Sequence, residues 1–313
     1  MSFFKKIIFH IKNGSILRPI KKRLYIRKNI LKKDKKNYLV GLGKIMLGYK
    51  MNLDNPETFN EKINWYKLHY YDNLMNICAD KYGVKKYVES KGLNDILVPT
   101  IGLYDDVKKI DFKVLPEKFV VKNTLDSGGV YICRRKKDFS FSNLEKKINS
   151  INQEYVYGKR WSLENAYDGI NKIIVEKIIE TVDGHSPIDY KFFCFNGEPQ
   201  FFIICADRDE KLKINFYDKE FKIINVSRRD HKNFDDNPPN IPLEKMLDIC
   251  RVLSKDFPFV RVDLYYENEK IYFGELTFYP SGGFEGFKPP EFDKKFGSFF
   301  DINNVKLSKK YVE

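Results

Sequence analysis

Cysteine and histidine are scarce in this 313-residue chain, and neither is arranged for metal chemistry. Cys78, Cys133, Cys194, Cys205 and Cys250 are scattered with no C-x-x-C pair, and His10, His69, His185 and His231 keep no metal-ligand spacing. This argues against a zinc site or a disulfide framework and predicts reduced, buried thiols. A long apolar run is also missing. The stretch Ile7 to Ile11 is broken by His10 and falls far short of the ~20 residues that a spanning helix needs. No secretory signal, internal repeat or low-complexity linker is recognised, so the expected setting is cytoplasmic. The G-x-x-x-x-G-K-[ST] phosphate loop is absent. Near a strand end only Asp207-Arg208-Asp209 offers the D-x-D triplet of a metal-dependent sugar-nucleotide site.

Acidic residues are nearly absent from the first 36 positions, where thirteen Lys and Arg face Asp34 alone. That segment carries +12 of the chain's net +13, which leaves the rest close to neutral. A uniformly basic nucleic-acid surface is therefore excluded, and no nucleic-acid partner is expected. The basic segment mixes its cations with Phe3, Phe4, Ile7, Ile8, Leu24 and Ile26. Such a mixture suits an anionic membrane surface, where each nearby cation contributes about 1 kcal/mol within a screening distance of roughly 10 Å. Residues 1–36 are thus read as a peripheral anchor at the inner face of the cytoplasmic membrane; a basic helix solvated on the surface of the domain is the alternative.

What is present begins with Val260-Arg261-Val262-Asp263 and Gly274-Glu275-Leu276-Thr277. Phe259 to Tyr266 and Lys270 to Phe278 read as two strands of a hairpin around Glu267-Asn268-Glu269, so Asp263 and Glu275 can share a face. Mg²⁺ needs only one or two carboxylates besides phosphate oxygens and water, and this pair supplies them. Solvent-facing strand acids would look the same. Upstream, Phe119-Val120-Val121-Lys122 is a strand ending in lysine, followed by Ser127-Gly128-Gly129 and a second strand at Val130 to Cys133. A Gly-rich tip between strands can wrap backbone N–H groups around phosphate, and Lys122 adds a point charge. Ordinary hairpins use the same residues. Between these parts, Lys172 to Glu180 reads as an apolar strand with Glu176 near its end.

The order of these parts resembles an ATP-grasp fold, and shorter strings resemble the TupA-like ATP-grasp family more narrowly. They are Asn55-Pro56-Glu57-Thr58-Phe59-Asn60-Glu61-Lys62-Ile63, Ala79-Asp80-Lys81-Tyr82, Asp189-Tyr190-Lys191-Phe192-Phe193-Cys194-Phe195-Asn196-Gly197, and Phe273-Gly274-Glu275-Leu276-Thr277-Phe278-Tyr279-Pro280. The resemblance spans about Asn55 to Gly297. It implies ATP and Mg as cofactors, with Lys122 on the phosphates and Ser127, Gly128 and Gly129 as the lid over them. It implies a base-reading hinge from Glu176 through Lys177 to Ile179, Asp183 as an acceptor for the ribose, and Lys191 as a second nucleotide contact. Asp263, Glu275 and Thr277 would hold metal, although the wider fold has Asn at the Thr277 position. Arg261 would steady the transferring group.

The family's link to bacterial cell-surface polysaccharide implies an ATP-dependent carboxylate–amine ligase. Its partners would be a uronic acid or another carboxylate-bearing glycan precursor and an amine or amino acid. Asp80, Lys81, Arg208, Arg228, Arg229, Ser281 and Gly282 are the candidates for recognising that anionic acceptor. The alternatives are sugar phosphoryl transfer, glycosyl transfer and a non-catalytic scaffold.

The expected fold class is α+β, with two α+β subdomains clasping the nucleotide behind a basic helical segment. The divisions are 1–50 (basic segment), 51–115 (helical region), 116–185 (lid subdomain), 186–300 (metal-bearing subdomain) and 301–313 (tail). Pro56 to Leu68 reads as a helix capped by Asp54 or Asn55, and Asn76 to Ser90 as another ending near Gly92. Val98 to Tyr104 reads as a strand and Ser142 to Tyr155 as a helix. Asn196-Gly197 predicts a hairpin between Asp189–Phe195 and Gln200–Asp207. Ile214–Tyr217 and Phe221–Val226 form a further pair. Leu243 to Phe257 is amphipathic, with Met246, Ile249, Cys250 and Leu253 on one stripe.

Overall fold

The structure, a computed structural model, describes residues 17–125, 128–149, 155–156, 159–206, 209, 211–229, 231–234 and 239–308. Ser127, Arg208 and residues 1–16 therefore lie outside the described residues. The chain begins with α1 (Leu17–Asn29) and α2 (Lys35–Met46), then α3 (Phe59–His69), α4 (Asn73–Ala79) and α5 (Gly83–Ser90). Next come β1 (Thr100–Tyr104), β2 (Phe119–Asn123), β3 (Val130–Cys133), α6 (Phe141–Ile148), β4 (Tyr155–Val156), β5 (Lys159–Arg160) and β6 (Ile173–Glu176). The second half runs β7 (Asp189–Phe195), β8 (Glu198–Ala206), β9 (Lys213–Asp218), β10 (Ile223–Ile224), β11 (Ser227–Arg228) and α7 (Leu243–Ser254). It closes with β12 (Phe259–Glu267), β13 (Lys270–Thr277), β14 (Phe287–Lys288) and α8 (Glu291–Gly297).

Two antiparallel sheets organise the molecule: a smaller one in the order β1-β6-β2-β3 and a larger one in the order β10-β9-β8-β7-β12-β13. Residues 177–188 connect β6 of the first to β7 of the second. Strand alternation divides the larger sheet into two faces. Val260, Val262 and Leu264 share one face with Cys194, Phe192 and Tyr190, and α7 packs against this sheet with Met246, Cys250 and Leu253 buried. The other face changes character along its length. Its Phe193, Phe195 and Phe259 close around the ring of Phe59 from α3, at centroid distances of 5.9, 6.3 and 5.6 Å. Further along the same face stand Arg261, Asp263, Lys191 and Asp189.

The smaller sheet has its own core, in which Phe119, Val121 and Val175 pack with Leu144 and Ile148 of α6. A third core joins α1 and α2 to the body through Ile26, Ile30, Leu39, Leu42 and Phe284. All five cysteines are buried and free.

Several expected boundaries move, each for a local reason. The helix expected from Pro56 starts at Phe59, because Thr58 and Glu61 form a reciprocal capping box. The helix expected over Asn76 to Ser90 is broken: the Asp80 carboxylate accepts from the backbone N–H of Tyr82 (2.9 Å) and Gly83 (2.7 Å) and turns the chain between α4 and α5. The helix expected to reach Tyr155 stops at Ile148, and α7 stops at Ser254 rather than Phe257. Between Phe221 and Val226 only Ile223 and Ile224 pair with β9.

Candidate functional site

The centre of the site is a cross-strand patch whose register fixes its geometry. Asp263 on β12 lies opposite Glu275 on β13 and Lys191 on β7, and Arg261 lies opposite Thr277. Because residues two apart share a strand face, these five side chains converge. Arg261 donates from Nε and Nη2 to the two Asp263 oxygens (2.6 and 2.7 Å) and from Nη2 to Glu275 (3.2 Å) and Thr277 (2.9 Å). The Thr277 hydroxyl donates to Glu275 at 3.1 Å. Lys191 pairs with Asp263 and lies 3.5 Å from Asp189. A register shift after Asp263 places Gly274 as the extra residue of a bulge. A side chain there would meet the Asp263 carbonyl oxygen at 2.9 Å, so glycine is what lets the backbones approach.

These groups hold their charges firmly. Burial works against the ionised Glu275 carboxyl, but Lys81, Lys191 and Arg261 outweigh it and, with the Thr277 hydrogen bond, bring its pKa down to about 2. Burial likewise opposes the Arg261 charge, yet Asp263 reverses the effect and raises its pKa. Asp263 is 1% exposed in its side chain while Glu275 is 35% exposed, so Glu275 is the carboxylate open to an incoming ligand.

Two cavities meet at this patch. The first, about 210 Å³, lies between the two sheets. Its apolar wall includes Val98, Val120, Ile132, Ile178 and Ile179, and its polar end carries Lys122, Arg134, Lys191, Asp263 and Glu275. Glu176 is buried there and binds two lysines, Lys85 at 2.5 Å and Lys122 at 2.8 Å. Burial would raise its pKa, but Lys122 and then Lys85 lower it. The second cavity, about 350 Å³, lies on the other side of the patch. It is lined by Arg18, Lys81, Arg160, Arg228, Arg229 and Arg261 against Glu164, Glu275 and Glu285. Six cations over three carboxylates make it a positively charged cavity. Lys81 and Glu275 line both cavities.

The structure therefore brings Lys122, Glu176, Lys177, Ile179, Lys191, Asp263 and Glu275 together around the first cavity. Arg261, Thr277, Ser281 and Gly282 are gathered with Arg228 and Arg229 around the second. Gly128 and Gly129 lead from the turn between β2 and β3 into β3, and the Gly129 carbonyl accepts from Asn123 N–H at 3.0 Å. Asp183 is not brought in: it sits on an exposed turn, where its carboxylate accepts from the His185 backbone N–H at 2.9 Å. Asp80 is spent on the turn before α5 and lines neither cavity. Sequence reasoning missed Lys85, Arg134 and Arg160. None of the three sits in a motif that gives a local cue, and only tertiary packing brings them to the cavities.

The donors present fit a nucleotide-bound Mg²⁺. Two carboxylates on one strand face, with lysines beside them and room for phosphate oxygens, meet an octahedral oxygen preference. Among the described residues no cluster of three or more His, Cys, Asp or Glu is placed to hold a metal ion.

A clasp of two antiparallel sheets, with carboxylates on the larger and a lysine-bearing strand on the smaller, defines an ATP-grasp protein. The family model of TupA-like ATP-grasp proteins matches residues 61–301, and the chain belongs to that family. Similar solved structures include D-alanine–D-alanine ligase from Bacillus anthracis complexed with ATP, at 18% identity and a TM-score of 0.38, covering 64% of this chain and 53% of that one. D-alanine–D-alanine ligase from Helicobacter pylori matches at 13% identity and a TM-score of 0.38, covering 71% and 59%. D-cycloserine synthetase DcsG matches at 13% identity and a TM-score of 0.35, covering 66% and 63%. The chain thus spans little more than half the length of the first of these. No curated protein matches it.

Proposed function

We propose that the protein is an ATP- and Mg-dependent carboxylate–amine ligase that attaches an amine or amino acid to a bacterial surface polysaccharide or its precursor. The observation that carries this reading is the junction of the two cavities at Glu275 and Lys81, with Arg261 on the side of the second. A ligase needs the phosphoryl donor and the carboxylate acceptor on opposite sides of one charged seam. The apolar wall and Lys122 suit a nucleotide in the first cavity, and the excess of arginine suits an anionic glycan, such as a uronic acid, in the second.

ATP would lie with its base against Val98, Ile178 and Ile179, where the backbone of 177–179 reads its edge. Its phosphates would point to Lys122 and Lys191. Asp263 and Glu275, with Thr277 beside them, would hold Mg²⁺, which supplies charge neutralisation on the phosphate oxygens. An acceptor carboxylate oxygen attacks the γ-phosphorus, the bond between the β- and γ-phosphates breaks, and ADP leaves an acyl phosphate. An amine nitrogen then attacks the acyl carbon. The carbon–oxygen bond to phosphate breaks, the nitrogen loses a proton, and an amide and inorganic phosphate result. Arg261 would contribute by placing a fixed positive charge where negative charge spreads during transfer. Its guanidinium is fixed in place by hydrogen bonds to Asp263 and Glu275.

No described helix is long and apolar enough to cross a membrane; peripheral association at the inner face of the membrane, through residues 1–36, is part of this proposal. The test is calorimetric titration of Mg²⁺ with ATP, and of Mg²⁺ with a panel of sugar nucleotides, into the wild type and an Asp263→Asn/Glu275→Gln variant. ATP binding by the wild type that the variant loses supports the ligase. A folded wild type that ignores ATP and takes a sugar nucleotide overturns it in favour of glycosyl transfer.

A further inference from the structure

Helix α1 has two working faces. Ile26 is buried against α2, and Tyr25 stacks on Tyr38 at 5.8 Å. On the solvent side Leu17, Ile20 and Leu24 are 41%, 54% and 64% exposed. Their i, i+3, i+7 spacing makes them one stripe. Lys21, Arg23, Arg27 and Lys28 flank that stripe, all exposed. An outward apolar stripe bordered by cations, on a helix with no acid of its own, is complementary to an anionic lipid surface, since the side chains can enter the acyl boundary while the cations meet headgroups.

The same helix walls the second cavity. Arg18 lines it, and the Lys22 ammonium sits 3.3 Å from the centroid of Trp161, another lining residue. The α1–α2 pair is tied to the cavity from its other side as well. The Tyr38 hydroxyl donates to the Trp161 carbonyl at 2.7 Å, and Arg229 donates to the carbonyls of Met46 (2.7 Å) and Leu47 (3.2 Å). An object docked on the outer face of α1 is therefore held in fixed relation to the cavity behind it.

We propose that the outer face of α1 docks on an anionic membrane through Leu17, Ile20 and Leu24, and that this docking holds the arginine-lined cavity beside the lipid surface, so that its acceptor is taken while still membrane-carried. The claim rests on the reading of that cavity as the acceptor side. It goes beyond a general attraction of the basic segment, because it assigns the contact to three side chains and gives the site an orientation.

The test uses the full chain and vesicles of phosphatidylcholine with and without phosphatidylglycerol. An Ile20→Gln/Leu24→Gln variant keeps every charge and alters only exposed positions. Wild type should bind the phosphatidylglycerol vesicles, and the variant should bind about tenfold more weakly or worse, given the apolar area withdrawn. Equal binding by both overturns the proposal. So does a vesicle-free self-association of the wild type that the variant loses, which would assign the stripe to a second copy of the chain. Orientation is read in a Trp65→Phe background, where Trp161 is the single tryptophan: a nitroxide on the lipid headgroup should quench its fluorescence. Vesicle binding without that quenching overturns the placement of the cavity. ATP–Mg²⁺ titration of the same samples separates the two readings, since failure of the ligase reading appears there and leaves the vesicle result untouched.

Discussion

At the scale of single residues, the side chain that most repays attention outside the metal patch is Lys67. It is 3% exposed, and its ammonium donates to Asn64 Oδ1 (2.9 Å), the Ser162 carbonyl (3.1 Å) and the Gly282 carbonyl (2.6 Å). Three acceptors saturate three N–H bonds, so the charged form fixes the Ser281–Gly282 turn beneath the second cavity, where Ser281 and Gly282 hold φ of 51° and 62°. Burial nevertheless pulls its pKa down to about 7. Because the folded value lies below the ordinary 10.5, the unfolded chain binds more protons between the two, and stability rises with pH through that window. Below about pH 7 both states are protonated and this contribution is flat. Denaturant midpoints from pH 7 to 9 should therefore climb in the wild type, by at most ~1.4 kcal/mol per pH unit from this group. Lys67→Met should remove that slope and leave two buried carbonyls unpaired, costing about 1–3 kcal/mol for each. A slope unchanged in the variant would assign the pH dependence elsewhere. None of this was legible in the sequence, where Lys67 is one cation among many. Asp263 and Glu275 were legible, because strand alternation and a hairpin turn suffice to place them together.

Elements were readable where one turn signal stands alone and misread where a second local cap competes with it. Asn196 and Gly197 take φ of 49° and 84°, which is what a tight hairpin asks of them, and β7 and β8 follow on either side. The start of α3 lies three residues beyond the expected Pro56, because Thr58 and not Asp54 or Asn55 is the cap. The Glu61 carboxylate accepts from the Thr58 backbone N–H at 3.1 Å, and the Thr58 hydroxyl accepts from the Glu61 N–H at 3.2 Å. Thr58 also meets the Tyr49 hydroxyl at 3.0 Å. Thr58→Ala should lower stability by about 1–2 kcal/mol, as loss of a capping hydroxyl does. Thr58→Ser should restore most of it, and equal stability of the Ala variant and wild type in urea melts would refute the capping role. Since α3 carries both Phe59 into the sheet core and Lys67 under the second cavity, fraying its first turn should loosen the second cavity before the first.

For the whole molecule, the decisive arrangement is non-local. The smaller sheet places β1 beside β6 and β6 beside β2, a pairing that joins segments some seventy residues apart and leaves no periodic trace in the chain. The family resemblance supplied that architecture; strand patterns alone gave the hairpins without their neighbours. Its consequence is that the cavity between the sheets is lined from both, by Lys122 and Glu176 from one and Asp263 and Glu275 from the other, so the nucleotide proposed there would touch both. A ligand of this kind binds the folded clasp and not the open chain, so it stabilises by mass action, by about 2.7 kcal/mol at one hundred times its dissociation constant. Thermal melts with ATP and Mg²⁺ should show that gain in the wild type. Lys122→Met should weaken it from the smaller sheet, and Asp263→Asn from the larger. A full gain kept by either single variant would mean that the bound ligand does not touch that sheet.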